Sequence, residues 1–156
     1  MAGNAAPIFS KAGIIGHTSV LNGITALATS NGAAATGVSA LTGEMIVAAT
    51  ADVTNGSYIQ RIRLRWVASA ATTTTAVTVR LYISTVSSGA TLSTNTKCFE
   101  EIVLGIQAAA SVTIATFPYD IACNFVLPAG STILASVGAK PAANTEIHIT
   151  TYGGNY

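Results

Sequence analysis

The run YIQRIRLRWVASAATTTTAVTVRLYIS, residues 58–84, alternates apolar and polar side chains on either side of a Thr-rich connection. A period of two belongs to a β-strand, whose successive side chains point to opposite faces. In the first half Tyr58, Gln60, Ile62, Leu64 and Trp66 share one face, read as the core side, and Ile59, Arg61, Arg63, Arg65 and Val67 share the other. In the second half Val77, Val79, Leu81 and Ile83 alternate with Thr78, Arg80, Tyr82 and Ser84. Folding the halves as a hairpin about ASAATTTT places Arg80 near Arg63 on the polar face.

The same pattern recurs outward in both directions. Strand candidates fall at 8–11 with 13–21, 44–53, 57–67, 75–86, 97–105, 111–117, 121–127, 132–137 and 146–152, separated by Gly, Pro, Asn and Ser clusters. Short strands at such intervals, with no helical run between them, predict an all-β fold: an antiparallel β-sandwich, jelly-roll-like, of about eight strands. Composition agrees, because the apolar residues are largely Ala, Val and Ile and the polar ones Thr, Ser and Asn. Branched side chains suit a pleated surface.

At 156 residues the chain suffices for one domain, 1–156, with a core that needs no disulfides. Residues 1–21 are expected to form an N-terminal arm or edge strand. The uncharged Ala/Gly/Thr/Ser segment 22–43 is expected to be a flexible or intersubunit insertion, since a long connection inside a compact domain normally has a role. Only 8% of residues are charged, against about 25% in an ordinary soluble domain. A surface of hydroxyls, amides and methyls is poorly protected against association, so assembly with other subunits is the expected state.

A net charge of +1 creates no field able to hold a polyanion, which excludes nucleic acid as a partner. No apolar run reaches the roughly 18 residues of a membrane span, and the N-terminus lacks a signal-peptide pattern, which places the protein in the cytoplasm of the producing cell. Cys98 and Cys123 are too few for a disulfide framework or a zinc site and read as small hydrophobes. Asn55-Gly56-Ser57 reads as a tight turn.

Arg61, Arg63 and Arg65 stand about 7 Å apart along one strand face, where each like-charged pair costs about 0.6 kcal/mol in water. A wet or intersubunit face is therefore expected, with Glu100 and Glu101 as acidic partners on this chain or another copy. Glu146 and His148 share one face of the last strand, a spacing that orients an imidazole but lacks a third metal ligand. No nucleophile elbow, phosphate loop or dinucleotide fingerprint occurs. Glu100 and Glu101 point to opposite faces, and Asp120 is read as capping a turn after Pro118. Trp66, Phe99, Phe117, Tyr119 and Phe125 are assigned to the core. No enzymatic activity, cofactor or metal is expected.

The segments APIFSKAGIIG, IQRIRLRW with TTAVTVRLYIS, FVLPAGSTILASVGA and IHITTYGGNY together resemble small virion structural proteins of tailed bacteriophages, among them capsid cement or decoration proteins. LPAGSTI also resembles a strand–turn–strand step late in jelly-roll domains, with Pro128 and Gly130 in the turn and Ile133 and Leu134 re-entering the sheet. The resemblance implies a protein made in bacterial cytoplasm that ends on the capsid surface. It further implies a homotrimer that binds the major capsid protein of the shell. Contacts are expected around Pro7, Phe9 and Lys11 and on the face of Arg61, Arg63 and Arg65, with Arg80 and Tyr82. The rival is a tail-fibre, head-fibre or adhesin module that recognises a host surface glycan.

Overall fold

The computed structural model describes residues 11–20, 45–68, 71, 73–85, 95–107, 116–139 and 141–156. Eight strands account for most of them: β1 (Lys11–Val20), β2 (Ile46–Thr50), β3 (Ser57–Ala68), β4 (Val77–Ser84), β5 (Thr96–Leu104), β6 (Tyr119–Leu127), β7 (Thr132–Val137) and β8 (Thr145–Asn155). They form two four-stranded antiparallel sheets, ordered β1-β8-β3-β6 and β2-β7-β4-β5. The pairing is nested: β4 with β5, β3 with β6, β2 with β7 and β1 with β8. A long hairpin of four strand pairs rolled onto itself is the jelly roll.

The core lies between the sheets. Ile59, Ile62, Leu64, Ile147 and Ile149 of one sheet meet Val77, Val79, Leu81, Ile133 and Val137 of the other, all essentially inaccessible. Each such side chain contributes about 1.5–3 kcal/mol by leaving water. Two turns behave as their residues dictate. Asp52 accepts hydrogen bonds from the backbone of Thr54 and Asn55 at 2.9 Å, ahead of Gly56. Gly130 turns with φ 70° while Ser131 donates back to the Pro128 carbonyl.

Three expectations are overturned. First, β3 and β4 do not form a hairpin; they belong to different sheets. The connection between them, residues 69–76, is longer than the two to five residues that keep strands adjacent and reaches the opposing sheet about 10 Å away. Arg80 therefore sits far from Arg63 in the topology. Second, strict alternation fails at the start of β3. The register against β8 shifts between Ile59 and Arg61, so Gln60 is an extra residue in that pairing and the phase reverses. Ile59 enters the core, Tyr58 turns to the outer face and Gln60 is exposed. Third, Phe117 and Tyr119 are not core residues: Phe117 is 85% exposed and Tyr119 is 48% exposed. They stand at the mouth of an edge strand, where the opposing sheet offers no cover. Trp66 is buried, and Phe99 and Phe125 pack edge to face at 5.7 Å where β5 and β6 bring the two sheets together.

The strand candidate at 111–117 falls mostly outside the described residues, and 116–118 are not in a strand. Pro7, Phe9 and the 22–43 insertion also lie outside them. Lys11 opens β1 and is described through its backbone alone.

Candidate functional site

The outer face of the β1-β8-β3-β6 sheet gathers three of the arginines that the structure describes together with Asp120 and Glu146. On β3, burial of Ile62, Leu64 and Trp66 turns Arg61, Arg63 and Arg65 outward. On β8, burial of Ile147, Ile149 and Thr151 does the same for Glu146, His148, Thr150 and Tyr152. Register then fixes neighbours: Arg61 stands opposite Tyr152, Arg63 opposite Thr150 and Arg65 opposite His148. From the other side of β8, β1 sets His17 opposite Thr150. From the far side of β3, β6 sets Asp120 opposite Arg63.

These neighbours interact. Arg63 donates from Nε and Nη2 to the two carboxylate oxygens of Asp120, both at 2.7 Å. Those bonds hold the Asp120 carboxyl below its ordinary value. Asp120 is thus a strand residue paired with an arginine, not the cap of a turn after Pro118; β6 already begins at Tyr119. The Arg61 guanidinium carbon lies 4.3 Å from the centre of the Tyr152 ring and that of Arg63 lies 5.9 Å from it. Cation–π contact of this kind contributes about 0.5–1 kcal/mol at an exposed position. The Tyr58 hydroxyl donates to Asn124 Oδ1 at 2.9 Å.

At the other end of the face, Glu146 and His148 pair as their spacing predicts, with Nε2 and Oε2 3.1 Å apart. His17 packs edge to face on His148 with ring centres 5.4 Å apart and shares a hydrogen bond with Thr150 Oγ1 at 2.9 Å. A hydroxyl against an imidazole is the opening geometry for a nucleophile and its base. Here β8 runs between β1 and β3, so Thr150 is paired in two ladders, with His17 on one side and Arg63 on the other.

The face carries three arginines against two carboxylates, Asp120 and Glu146, and each carboxylate already has a partner. Arg61 and Arg65 have no ion pair among the described residues. Arg80 is elsewhere, on the β2-β7-β4-β5 sheet, where it pairs with Glu101 and not with any residue of the arginine face. Within one chain Glu100 and Glu101 do not serve the arginine face as expected: they lie on β5 of the other sheet, and it is Asp120 on β6 that pairs with Arg63. Tyr82 is no contact residue. It is 0% exposed, its hydroxyl meets Ser136 Oγ at 3.3 Å, and burial pushes its pKa up. Every residue of β7 is buried, so both faces of that strand are covered.

Asp120, Tyr152, His17, Tyr58 and Asn124 join the face unannounced. Tyr152 had a signal, since it extends the alternating series Glu146, His148, Thr150. The others depend on which strands become neighbours. Among the described residues no cluster of His, Cys, Asp or Glu is arranged to hold a metal ion. Compared with known proteins, the chain matches no protein-family model, no curated protein and no solved structure.

Proposed function

We propose that the protein is a bacteriophage virion structural protein: a capsid cement or decoration protein that attaches in many copies to the outside of an assembled shell and ties neighbouring capsomers together. One observation supports the contact above all. On a chain with so few charges, three arginines converge on one sheet face where both opposing carboxylates are already paired. Such a face suits association with a surface of opposite sign. The shell as partner comes from the sequence resemblance, which also implies a homotrimer and a place on the capsid after synthesis in the bacterial cytoplasm. Each copy buries area on the shell, and symmetry multiplies a modest affinity into avidity. No catalytic step is invoked.

The test uses the purified full chain. Its mass is measured by light scattering, and it is then sedimented with shells assembled without it. A trimer that co-sediments and raises the heat resistance of the shells supports the proposal. A monomer that stays in the supernatant overturns it.

A second reading is a fibre- or adhesin-type module that recognises a host surface glycan. Tyr58 and Tyr152 share the arginine face with Asp120 and Glu146, the mixture of aromatics and acids such a module displays. Against it, the Tyr152 ring is already occupied by Arg61 and offers a sugar little open platform. Binding on a glycan array without shell binding would favour this module.

A further inference from the structure

The three arginines of β3 are not equivalent, and their differences point to the chemistry of what they meet. Arg63 is committed within the sheet, both arms of its fork filled by Asp120. Arg61 rests on the Tyr152 ring, and its Nε is buried with no acceptor among the described residues. Its terminal amino groups are the part of the fork left for an incoming acceptor, on a guanidinium whose plane the ring already fixes. Arg65 is exposed and stands opposite His148 without an ion pair among the described residues.

The backbone beside Arg61 is irregular in a way that sets its position. Gln60 is the extra residue of the β3 bulge, and bulges commonly re-aim the side chain next to them. Across from it on β6, Asn124 adopts φ 52° and its side chain accepts the Tyr58 hydroxyl. A left-handed residue other than glycine persists where its surroundings determine it, and such residues gather at binding sites.

We infer that this face receives discrete carboxylates from an acidic protein surface, with Arg61 as the directional contact, Arg65 as the exposed steering charge and Arg63 as a pillar neutralised by Asp120. A carboxylate presents two oxygens in the plane of a guanidinium fork, which a fixed arginine meets without losing further side-chain freedom. A continuous polyanion suits the face less well. Asp120 and Glu146 lie on the same surface and repel it, whereas an isolated carboxylate needs one guanidinium at a time. The inference deepens the contact proposed above and rests on that proposal for the partner's identity, but not for its chemistry.

The probe is an oligoglutamate peptide, compared with its oligoglutamine counterpart, with single-stranded DNA and with a sulfated glycan. Binding is followed through the arginine Nε–H resonances of the full chain. Oligoglutamate is expected to shift Arg61 and Arg65 and to leave Arg80 in place. Arg61→Gln is expected to weaken binding about tenfold, and Arg61→Lys is expected not to restore it, because an ammonium neither stacks nor forks. Arg63→Gln is expected to cost less binding and more thermal stability than Arg61→Gln. Thermal melts of every variant separate a folding defect from a binding one. Equal losses from Arg61→Gln, Arg63→Gln and Arg80→Gln, absent shifts, or tighter binding of DNA or the sulfated glycan would overturn the inference. Shells that never bind the wild-type protein would sink the capsid assignment and leave an oligoglutamate result standing. Shells that bind the Arg61→Gln protein undiminished would sink the division of roles and leave attachment standing.

Discussion

Replacing Gly153 with alanine tests how β3 and β8 come together at the bulge that sets the arginine face. Gly153 stands opposite Ile59 across the ladder. A Cβ at this position would lie 2.0 Å from the Tyr58 carbonyl oxygen, 3.1 Å from its carbonyl carbon and 3.3 Å from Ile59 Cα. All three are backbone atoms, so no change of rotamer relieves the overlap. Ordinary contact begins near 3.4 Å, and the strands must part by more than about 1 Å or surrender the bulge. Overpacking costs about 1–3 kcal/mol, and a clash of backbone with a new side chain belongs at the upper end, about 3 kcal/mol. At this chain length each kcal/mol lowers the melting temperature by about 2–4 °C, which gives a fall of about 6–12 °C. Thermal unfolding followed by circular dichroism reads it directly. Gly13→Ala is the control: it lies on the edge strand of the same sheet with open space around its would-be Cβ, and its Tm should hold or rise slightly. A fall of less than about 2 °C for Gly153→Ala, or equal falls for the two variants, refutes the close approach.

Ile59→Ala, which empties a fully buried position, should cost about 2–5 kcal/mol in denaturant midpoint, whereas Gln60→Ala should stay within about 0.5 kcal/mol; strict alternation would reverse that order. Asp120 has a folded pKa below its ordinary 3.8 because Arg63 hydrogen-bonds to it, so its stabilisation is present above about pH 4 and is lost as pH falls through the folded value. The urea midpoint of Asp120→Asn should therefore lie below that of the wild type at neutral pH and converge with it in strong acid; a constant gap contradicts the pairing. Burial pushes the Cys123 thiol up to about 11, while Cys98, also raised, is exposed. Iodoacetamide at mildly alkaline pH should label Cys98 well before Cys123 by mass spectrometry, and equal rates would show that Cys123 does not pack against the core.

Much of the fold is legible in the alternation of residues 58–84, because burial on one side of a strand imposes a period of two. The outward arginines follow from the same rule. What it misses is non-local. One extra residue at Gln60 reverses the phase of Tyr58 and Ile59, and a bulge leaves no mark in composition. The length of 69–76, not its Thr-rich character, sends β4 to the opposing sheet and separates Arg80 from Arg63. Asp120 looks like a turn residue beside Pro118 until β6 is known to lie against β3. His17 meets His148 only because the first and last strands are neighbours, a consequence of nesting that no local pattern announces. Tyr82, read as polar from its alternation, is buried beside β7, a strand covered on both faces.

The measurement that bears most directly on the central claim is an electron cryo-microscopy reconstruction of shells assembled without this protein and then saturated with it. The account predicts added sandwiches on the outer surface at symmetry axes, seated by the outer face of β1-β8-β3-β6 with Arg61 and Arg65 against capsid carboxylates. Bare shells, or sandwiches attached through the β2-β7-β4-β5 sheet with the arginine face in solvent, would contradict it.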